Sequence, residues 1–287
     1  MRLGFLAMSR TLWVHGPISR DTMIYLERLP KSGEFLRAQS VSTRVGGTAA
    51  NIAFGLATTD IPIGFLTWLG NDDIADELRQ ALDQSNLTHV TIMEKDAPSE
   101  HVHVYVENDG ERTILGINPS FLRELHIEDA PIKSGDVFLF TLWWPEYLPD
   151  LLELKARGCT VILGARALDD VQVQGADLII GSVKDYSGQD IKGLLQRFPR
   201  IVLTNGIEGS TEYHQSQTYH QSAFEAAAVD ATGAGDAFIA GYLTGFMKDF
   251  NPQECLKLGS QWAAMAVETY SSIPPDFSAV KSRWGLK

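Results

Sequence analysis

Two aspartates and a pair of glycines stand close together in the segment DATGAGDAFIAGYLTGF, residues 230–246. Carboxylates such as Asp230 and Asp236 can accept a proton. The N–H groups of Gly233 and Gly235, if they open a helix, can bind an anion such as phosphate. The same residue types are also typical of a tight turn whose aspartate caps the next helix. Apolar residues on both sides predict a strand before Asp230 and a helix after the glycines.

Two further glycine-bearing segments, VGGTAAN and LTNGIEG, also follow strand-like runs of residues. In open α/β sheets, ligands bind beyond the carboxyl ends of the strands, where such segments would lie. Taken singly, each segment is compatible with an ordinary turn or loop. Their order and distances along one chain are much more specific, and they indicate a single binding region.

The strand and helix pattern that must position these segments is clearest in the second half of the chain. Short apolar runs (DVFLF, TVILG, DLIIG and RIVLTNG) alternate with helical or loop stretches. In the first half, GGTAANIAFGLATTD and DDIADELRQALDQSN predict helices on either side of the strand IGFLTWLG. This rhythm predicts an α/β fold with a doubly wound, mostly parallel central sheet and helices on both faces.

Alternating polar strands near residues 17–45 and 98–118 do not fit inside such a sheet. The stretch EFLRAQSVSTRV indicates exposed strands, and HVHVYVENDGERTILG alternates around Asp109 and Gly110, a strong hairpin signal. Both segments are therefore predicted to form a small projecting β-sheet, or lid. No linker or internal repeat interrupts the sequence, so residues 1–287 are interpreted as a single domain that carries this lid.

Composition and charge exclude several classes of partner. The net charge of −12 argues against binding to nucleic acid or to an anionic membrane, since both rely on clustered Lys and Arg. No apolar run reaches the ~18 residues needed to cross a bilayer, and MRLGFLAM is a poor signal peptide. Cys159 and Cys255 lack a metal-type spacing, which fits a reducing cytoplasm. The first ten residues are expected to be dispensable, with Met1 and Met8 both open as the translation start.

Over nearly its whole length the sequence resembles the ribokinase-like (PfkB-type) carbohydrate kinases. The residues that carry this resemblance are HGPISRD (15–21), GGTAANIAFGLA (46–57), DGER (109–112), TNGIEG (204–209) and the segment 230–246. The resemblance implies MgATP-dependent phosphorylation of a hydroxyl on a sugar, a nucleoside or a related small molecule. It also implies the ribokinase-like fold with a β lid. The match is not to P-loop kinases, because the sequence contains no G-x-x-x-x-G-K-[ST] motif.

For catalysis, the resemblance implies that Asp236 is the general base that takes the proton of the attacking hydroxyl. Gly233, Ala234 and Gly235 would offer backbone N–H groups to the transferred phosphoryl group, as an anion hole. The position of Asp236 at a helix N-terminus is expected to favour its ionised form. The alternative for Asp236 is a plain helix cap.

For the acceptor, the resemblance implies a site built from residues near the lid. Asp21 would accept from two vicinal hydroxyls, Gly46 and Gly47 would let the backbone approach the substrate, and Asn51 would add an amide. Arg112 would reach the substrate from the lid. The alternatives are a loop aspartate for Asp21, a structural hydrogen bond for Asn51 and a solvated hairpin arginine for Arg112.

For the nucleotide and its ions, the resemblance implies a third set of residues. Those assigned to the nucleotide are Thr204, Gly206, Gly209, Ser182 and, near the adenine, Ser260. Asp185 would hold Mg²⁺ through a water, while Asp230 and Thr232 fall where many family members place a monovalent cation such as K⁺. The implied cofactors are therefore ATP and Mg²⁺, with K⁺ left open.

Departures from the family pattern limit what the resemblance implies about the substrate. Ser182 and Asp185 replace the Asn and Glu of an N-x-x-E motif that organises magnesium. Arg166 is kept from a D-x-N-x-R stretch whose other two residues are lost, and Thr48 stands where ribokinases have Lys. The acceptor is therefore open between a sugar and a nucleoside. A catalytically weakened family member that serves as a ligand-binding or regulatory protein is the alternative.

The resemblance also bears on assembly. Dimerisation through the lid is common in the family, and the exposed strand edges of segments 17–45 and 98–118 would gain by pairing. A homodimer through the lid is therefore expected.

Overall fold

The computed structural model describes residues 10–108, 110–117, 126–214 and 217–286. The strands in these ranges are β1 Leu12–His15, β2 Ser19–Tyr25, β3 Ser40–Gly46, β4 Ile63–Leu69, β5 His89–Glu94, β6 His101–Val106, β7 Arg112–Gly116, β8 Val137–Phe140, β9 Thr160–Gly164, β10 Leu178–Ser182, β11 Arg200–Thr204, β12 Ser210–His214 and β13 Gln217–Gln221. The helices are α1 Thr48–Leu56, α2 Asp73–Asp83, α3 Leu148–Ala156, α4 Ile191–Leu194, α5 Ala234–Met247, α6 Pro252–Ala266 and α7 Phe277–Trp284.

The large sheet has the strand order β13-β12-β11-β10-β9-β8-β1-β4-β5. All pairs from β11 to β5 are parallel, whereas β12 pairs antiparallel with both β11 and β13 at one edge. Strands β1, β4 and β8 are buried along their whole length, as expected for parallel strands covered on both faces. The predicted mostly parallel sheet is confirmed, and the β12–β13 hairpin is an addition that the sequence pattern did not indicate.

Helices cover both faces of this sheet, as predicted. Successive side chains of a strand point to opposite faces. Accordingly, Leu12 and Val14 of β1 belong to a core that also contains side chains of α1, α2, α5, α6 and α7. Trp13 between them belongs to the opposite core, with side chains of α3 and α4. Of the segments that carry candidate site residues, 182–185 and 204–209 therefore start from the carboxyl edge of a sheet that is buried on both sides. No helix in the described part of the chain is long and apolar enough to cross a bilayer.

The small sheet has the order β3-β2-β6-β7 and forms the lid. Strand β2 pairs antiparallel with β3 and parallel with β6, and β6 pairs antiparallel with β7 in the predicted hairpin. These strands fall in the two predicted segments, except that β3 continues to Gly46. The predicted strand was too long at its start, because residues 34–39 form no strand. The hairpin residue Asp109 lies outside the described residues.

The strand predicted immediately before Asp230 is wrong. Residues 222–229 are irregular in the structure. The N–H groups of Val229 and Asp230 both donate to the carbonyl of Val267, at 2.8 and 3.1 Å. Because Val267 follows the end of α6, the backbone here is satisfied by a helix terminus rather than by a neighbouring strand. The predicted helix after the glycines is confirmed and begins at Ala234.

Candidate active site

The N-terminus of α5 lies at the centre of the candidate site. Gly233 precedes the helix in the left-handed conformation, with φ of 76°, which L side chains rarely adopt. A Cβ on Gly233 would lie 2.3 Å from the carbonyl oxygen of Ser272, so the position has no room for another residue. Asp236 is in the first turn, where helix N–H groups lack intrahelical partners. The N–H of Ala234 donates to the carbonyl of Ala231 at 3.3 Å.

Asn51 connects α1 to this helix terminus. Its Nδ2 donates to Oδ2 of Asp236 at 2.8 Å. Asn51 is buried, and its Oδ1 has no hydrogen-bond partner in the described part of the chain. Gly47, which precedes α1, has φ of 97°, and a Cβ there would lie 2.6 Å from the carbonyl oxygen of Pro17. The amide of Asn51 thus orients Asp236 with one end and keeps an unused acceptor at the other.

Burial raises the pKa of Asp236 to about 7. The hydrogen bond from Asn51 opposes this rise, and the nearby charge of Asp21 adds to it. Burial thus opposes the ionised form that the helix N-terminus was expected to favour. A carboxyl with a pKa near the working pH is well suited to accept a proton in a reaction.

Asp21 lies on β2 of the lid and is buried. Ser19 Oγ donates to its Oδ1 at 2.7 Å, and Nε of Arg44 is 3.9 Å from its Oδ2. Burial raises the pKa of Asp21, while the Ser19 hydrogen bond and the Arg44 charge lower it. A Cβ on Gly46 would lie only 2.1 Å from Asp21 Oδ2. The missing side chain of Gly46 therefore makes the space that the Asp21 carboxylate occupies.

Arg112 extends from β7 to the segment that precedes α5, where its Nη2 donates to Oδ1 of Asp230. Its side chain is only 18% exposed, so it is not a solvated hairpin arginine. The same Asp230 oxygen accepts from the N–H of Thr232 at 2.6 Å, and Oγ1 of Thr232 is buried with no partner among the described residues. The carboxylate predicted to help hold a monovalent cation is thus already paired with a guanidinium.

A cavity of about 550 Å³ adjoins the α5 terminus, and neither Asp236 nor Asn51 lines it. Its wall includes four of the residues predicted to bind nucleotide and two of those predicted for the anion hole: Thr204, Gly206, Gly209, Ser260, Ala234 and Gly235. Most of the remaining lining is apolar, including Phe224 and Phe238. This volume is in the usual range for a small-molecule site. The cavity therefore has the size and the apolar wall that a nucleobase requires.

Ser182 and Asp185 do not lie in the wall of that cavity; they form a capping box of their own. The Ser182 N–H donates to Asp185 Oδ2 at 2.9 Å, and Ser182 Oγ accepts from the Lys184 N–H at 3.2 Å. Their contacts are thus those of a short helical turn after β10. Among the described residues, no group of three or more His, Cys, Asp or Glu side chains could hold a metal ion.

Arg44 is the residue of this region that the sequence pattern did not single out. It pairs in register with Asp21 across β2 and β3, and its Nη1 donates to the carbonyl of Tyr270 at 2.8 Å. One signal was available, since residues two apart on a strand share a face. Arg44 therefore faces the same way as Gly46, next to the predicted acceptor site.

Comparisons with known proteins give three results. The sequence model of the pfkB family carbohydrate kinases matches residues 17–158 and 175–278. The chain is 26% identical to a ribokinase of Haemophilus influenzae, over 93% of this chain and 96% of the relative, and 22% identical to a nucleoside kinase of Methanothermobacter thermautotrophicus, over 97% and 98%. The solved structure of Arabidopsis thaliana ribokinase complexed with ribose and ATP has a TM-score of 0.78 at 23% identity, covering 96% of this chain and 98% of that one.

Proposed function

Because the chain belongs to the pfkB family of carbohydrate kinases, whose model matches most of its length, we propose that it transfers the γ-phosphate of ATP to a hydroxyl of a small sugar or sugar-like acceptor. The family membership makes it a phosphotransferase with an alcohol group as acceptor. The proposal adds Asp236 as the general base, the start of α5 as the anion hole and a single kinase domain with a lid.

One observation carries this proposal: the first turn of α5 is a wall shared by two sites. Ala234 and Gly235 line the 550 Å³ cavity, whereas Asp236 hydrogen bonds to Asn51. A phosphate that enters from the cavity would therefore meet the helix N-terminus, beside a carboxyl that faces the acceptor residues. In-line phosphoryl transfer requires the attacking hydroxyl and the leaving oxygen to lie on opposite sides of the phosphorus, so a phosphate held between the two sites would be suited to it.

The roles of the chain's own residues follow from their contacts. Asp21 accepts hydrogen bonds from acceptor hydroxyls, and the free Oδ1 of Asn51 accepts another. Asp236 takes the proton of the attacking hydroxyl, helped by a pKa of about 7. The N-terminus of α5 offers dipole and N–H groups to the transferred phosphoryl group, which cost no reorganisation during the reaction. The bound nucleotide supplies that phosphoryl group and the ADP leaving group.

The two predicted ion sites fit this arrangement to different degrees. Asp185 has one carboxylate oxygen outside its capping box, and Mg²⁺ commonly keeps several waters and binds through one carboxylate and the nucleotide phosphates. Asp185 is therefore proposed to hold Mg²⁺ through a water. The proposed K⁺ site fits less well, because Arg112 already neutralises Asp230. No catalytic step is assigned to a monovalent cation.

A coupled assay of ADP release tests the proposed function. Neutral sugars, polyols, sugar acids, sugar phosphates and nucleosides would each be offered with MgATP, and at least one is expected to give acceptor-dependent turnover. Nucleosides are included because the relative from Methanothermobacter thermautotrophicus is named a nucleoside kinase. ATP binding measured by calorimetry without turnover of any acceptor would instead favour a ligand-binding or regulatory member of the family.

Asn51→Ala is expected to shift the activity–pH profile toward higher pH. The Asn51 amide lowers the pKa of Asp236, so its removal raises that pKa further above its ordinary value. Since the base must be ionised, kcat/KM should fall several-fold more at pH 7 than at pH 9. Asn71→Ala is the matched control, since Asn71 Nδ2 donates to Asp96 at 2.7 Å on the surface. An unshifted activity–pH profile in Asn51→Ala would contradict the claim that Asn51 lowers the pKa of the catalytic base.

The same proposal includes a cytoplasmic homodimer that pairs through the lid. The lid edges carry exposed apolar side chains, with Val41 on β3 and Ile114 and Leu115 on β7 at least half exposed. Such edges are suited to pairing with a second chain. Sedimentation at micromolar concentration is expected to show a dimer, and monomer alone would remove this part of the proposal.

A further inference from the structure

Arg44 presents an unused edge of its guanidinium beside the acceptor residues. Its Nη1 donates to the carbonyl of Tyr270. Its Nε and Nη2 are shielded from solvent and have no hydrogen-bond partner in the described part of the chain. These two nitrogens share one edge of the planar group, the geometry that binds a carboxylate or phosphate through two parallel hydrogen bonds. Buried donors without partners are costly and rare in folded proteins, so this edge is expected to have a ligand.

The nearest carboxylate in the chain does not use that edge. Asp21 Oδ2 lies 3.9 Å from Nε of Arg44, which is too far for a hydrogen bond. The other oxygen of Asp21 accepts from Ser19. Gly46 leaves just enough space for the Asp21 carboxylate in its present place. Asp21 is thus a neighbour of the guanidinium, held by its own contacts, and the two donors of the Nε–Nη2 edge remain without a hydrogen-bond partner among the described residues.

The other two arginines of the lid strands differ from Arg44, because each has a single unpaired donor instead of a whole edge. Arg112 binds Asp230 through Nη2, and its Nε, like the Nε of Arg20, is shielded from solvent with no partner among the described residues. The four lid strands contain three arginines (Arg20, Arg44 and Arg112) against one acidic residue, Asp21, in a chain whose net charge is −12. Within the lid strands themselves, positive side chains therefore outnumber negative ones, in contrast to the whole chain.

We propose that the acceptor of this kinase carries an anionic group, a carboxylate or a phosphate, which binds the Nε–Nη2 edge of Arg44. The inference rests on the proposed function and names the chemical class of its acceptor. Hydroxyls of the acceptor bind Asp21, and its anionic group takes the two donors that the protein leaves unpaired. A neutral hydroxyl offers a single uncharged oxygen, whereas an anionic group offers two oxygens and a charge-assisted bond to each donor.

Matched pairs of acceptors test this class directly. D-ribose and D-ribose 5-phosphate differ by a phosphate, and D-glucitol and D-gluconate differ by a carboxylate. In the wild-type protein the anionic member of a pair is expected to have the higher kcat/KM. Arg44→Gln should lower kcat/KM for that member by about 10- to 150-fold and leave the KM for ATP unchanged. The neutral member should lose much less, because it loses only the support that the Arg44 charge gives to the Asp21 carboxylate. Arg44→Lys keeps the charge but loses the two parallel donors. Its kcat/KM for the anionic member should lie between the values of the wild type and of Arg44→Gln.

Arg20→Gln is the control, because Arg20 is the next residue to Asp21 on β2 and therefore points to the other face of the lid. It should leave the anionic-to-neutral ratio unchanged. A preference for neutral acceptors, an equal loss for both members in Arg44→Gln, or a rise only in the KM for ATP would each overturn the inference. If only neutral acceptors were turned over, the anion site would be overturned, but the proposal that the protein is a kinase would stand.

Binding measurements cover the case in which no member of the panel turns over. Calorimetry with D-gluconate and D-ribose 5-phosphate, in the presence of ADP, is expected to show tighter binding than with their neutral partners. Arg44→Gln should weaken that binding at least 10-fold. This result would keep the anion site even if the kinase proposal failed. Equal binding of anionic and neutral members would overturn the anion site.

Discussion

Asp236→Asn is expected to lower kcat by about 10²- to 10⁴-fold, the usual contribution of a positioned general base. Asparagine keeps the shape of the side chain and its place beside Asn51, but it cannot take the proton of the attacking hydroxyl. Because Ala234 and Gly235 rather than Asp236 line the 550 Å³ cavity proposed to bind ATP, the affinity for ATP should remain unchanged. Steady-state ADP release and calorimetric ATP titration measure the two quantities separately.

Asp76→Asn is the matched control for this variant. Asp76 also lies in the first turn of a helix, α2, but it is exposed on the surface. Like Asp236, it interacts favourably with a helix dipole, by about 0.3–1 kcal/mol, but it has no contact with the candidate active site. If Asp236 were only a helix-terminal aspartate, the two variants would behave alike. Near wild-type turnover in Asp236→Asn would contradict the assignment of the base.

Stability distinguishes lost catalysis from lost folding in Asp236→Asn. The pKa of Asp236 is about 7 in the folded protein, against an ordinary value of 3.8. Between these two values the folded state binds more protons than the unfolded state, so the free energy of unfolding falls as the pH rises. Above pH 7 the folded protein bears the full cost of burying an ionised carboxylate. Asparagine removes this cost. The urea midpoint of Asp236→Asn at pH 8 is therefore expected to equal or exceed that of the wild type.

The start of α5 could be predicted from sequence because its signals are local. Glycine supplies the left-handed residue before the helix, and small apolar residues continue it. The conformation of the segment just before Asp230 could not be predicted from such local signals. Its residues are apolar, but their N–H groups are satisfied by Val267, which is distant in sequence and adjacent only in the fold. Apolar composition therefore indicated a buried segment without indicating its hydrogen-bond partner.

The pairing of Ser182 with Asp185 shows a signal that was present and was interpreted differently. The stretch Ser-Val-Lys-Asp has the spacing of a capping box, in which the first side chain and the fourth satisfy each other's backbone N–H groups. The structure contains this capping box after β10. The residues that depart from the family's N-x-x-E motif thus form a local structural element, and this holds independently of their effect on metal binding.

Long-range contacts and the pKa of Asp236 were beyond the reach of sequence patterns. Arg112 and Arg44 are separated by more than one hundred residues from Asp230 and Tyr270, which they contact. The position of Asp236 at the start of a helix could be predicted from the sequence, and this position favours the ionised form of its side chain. Its burial depends on the packing of α1 and the lid, and burial dominates the pKa.

Gly46→Ala is expected to remove acceptor binding by displacing another residue. The added Cβ would lie within 2.1–2.5 Å of all three atoms of the Asp21 carboxylate, so Asp21 must leave its place. Two hydrogen bonds from acceptor hydroxyls to a charged group would be lost, and kcat/KM for the acceptor should fall by about 10²-fold or more. The ATP affinity should not change, because neither residue lines the nucleotide cavity.

The double variant Asp21→Ala/Gly46→Ala decides whether Gly46 acts only through Asp21. If it does, the double variant should be no less active than Asp21→Ala alone, since residues that share one interaction are not additive. A further loss would mean that the backbone of Gly46 itself approaches the substrate, as the family resemblance implies for this glycine. Gly116→Ala on β7 is the control, because a Cβ there meets nothing within 4 Å and should leave kcat/KM unchanged. Near wild-type activity in Gly46→Ala would remove Asp21 from the acceptor site, since the carboxylate cannot stay where it is beside an alanine.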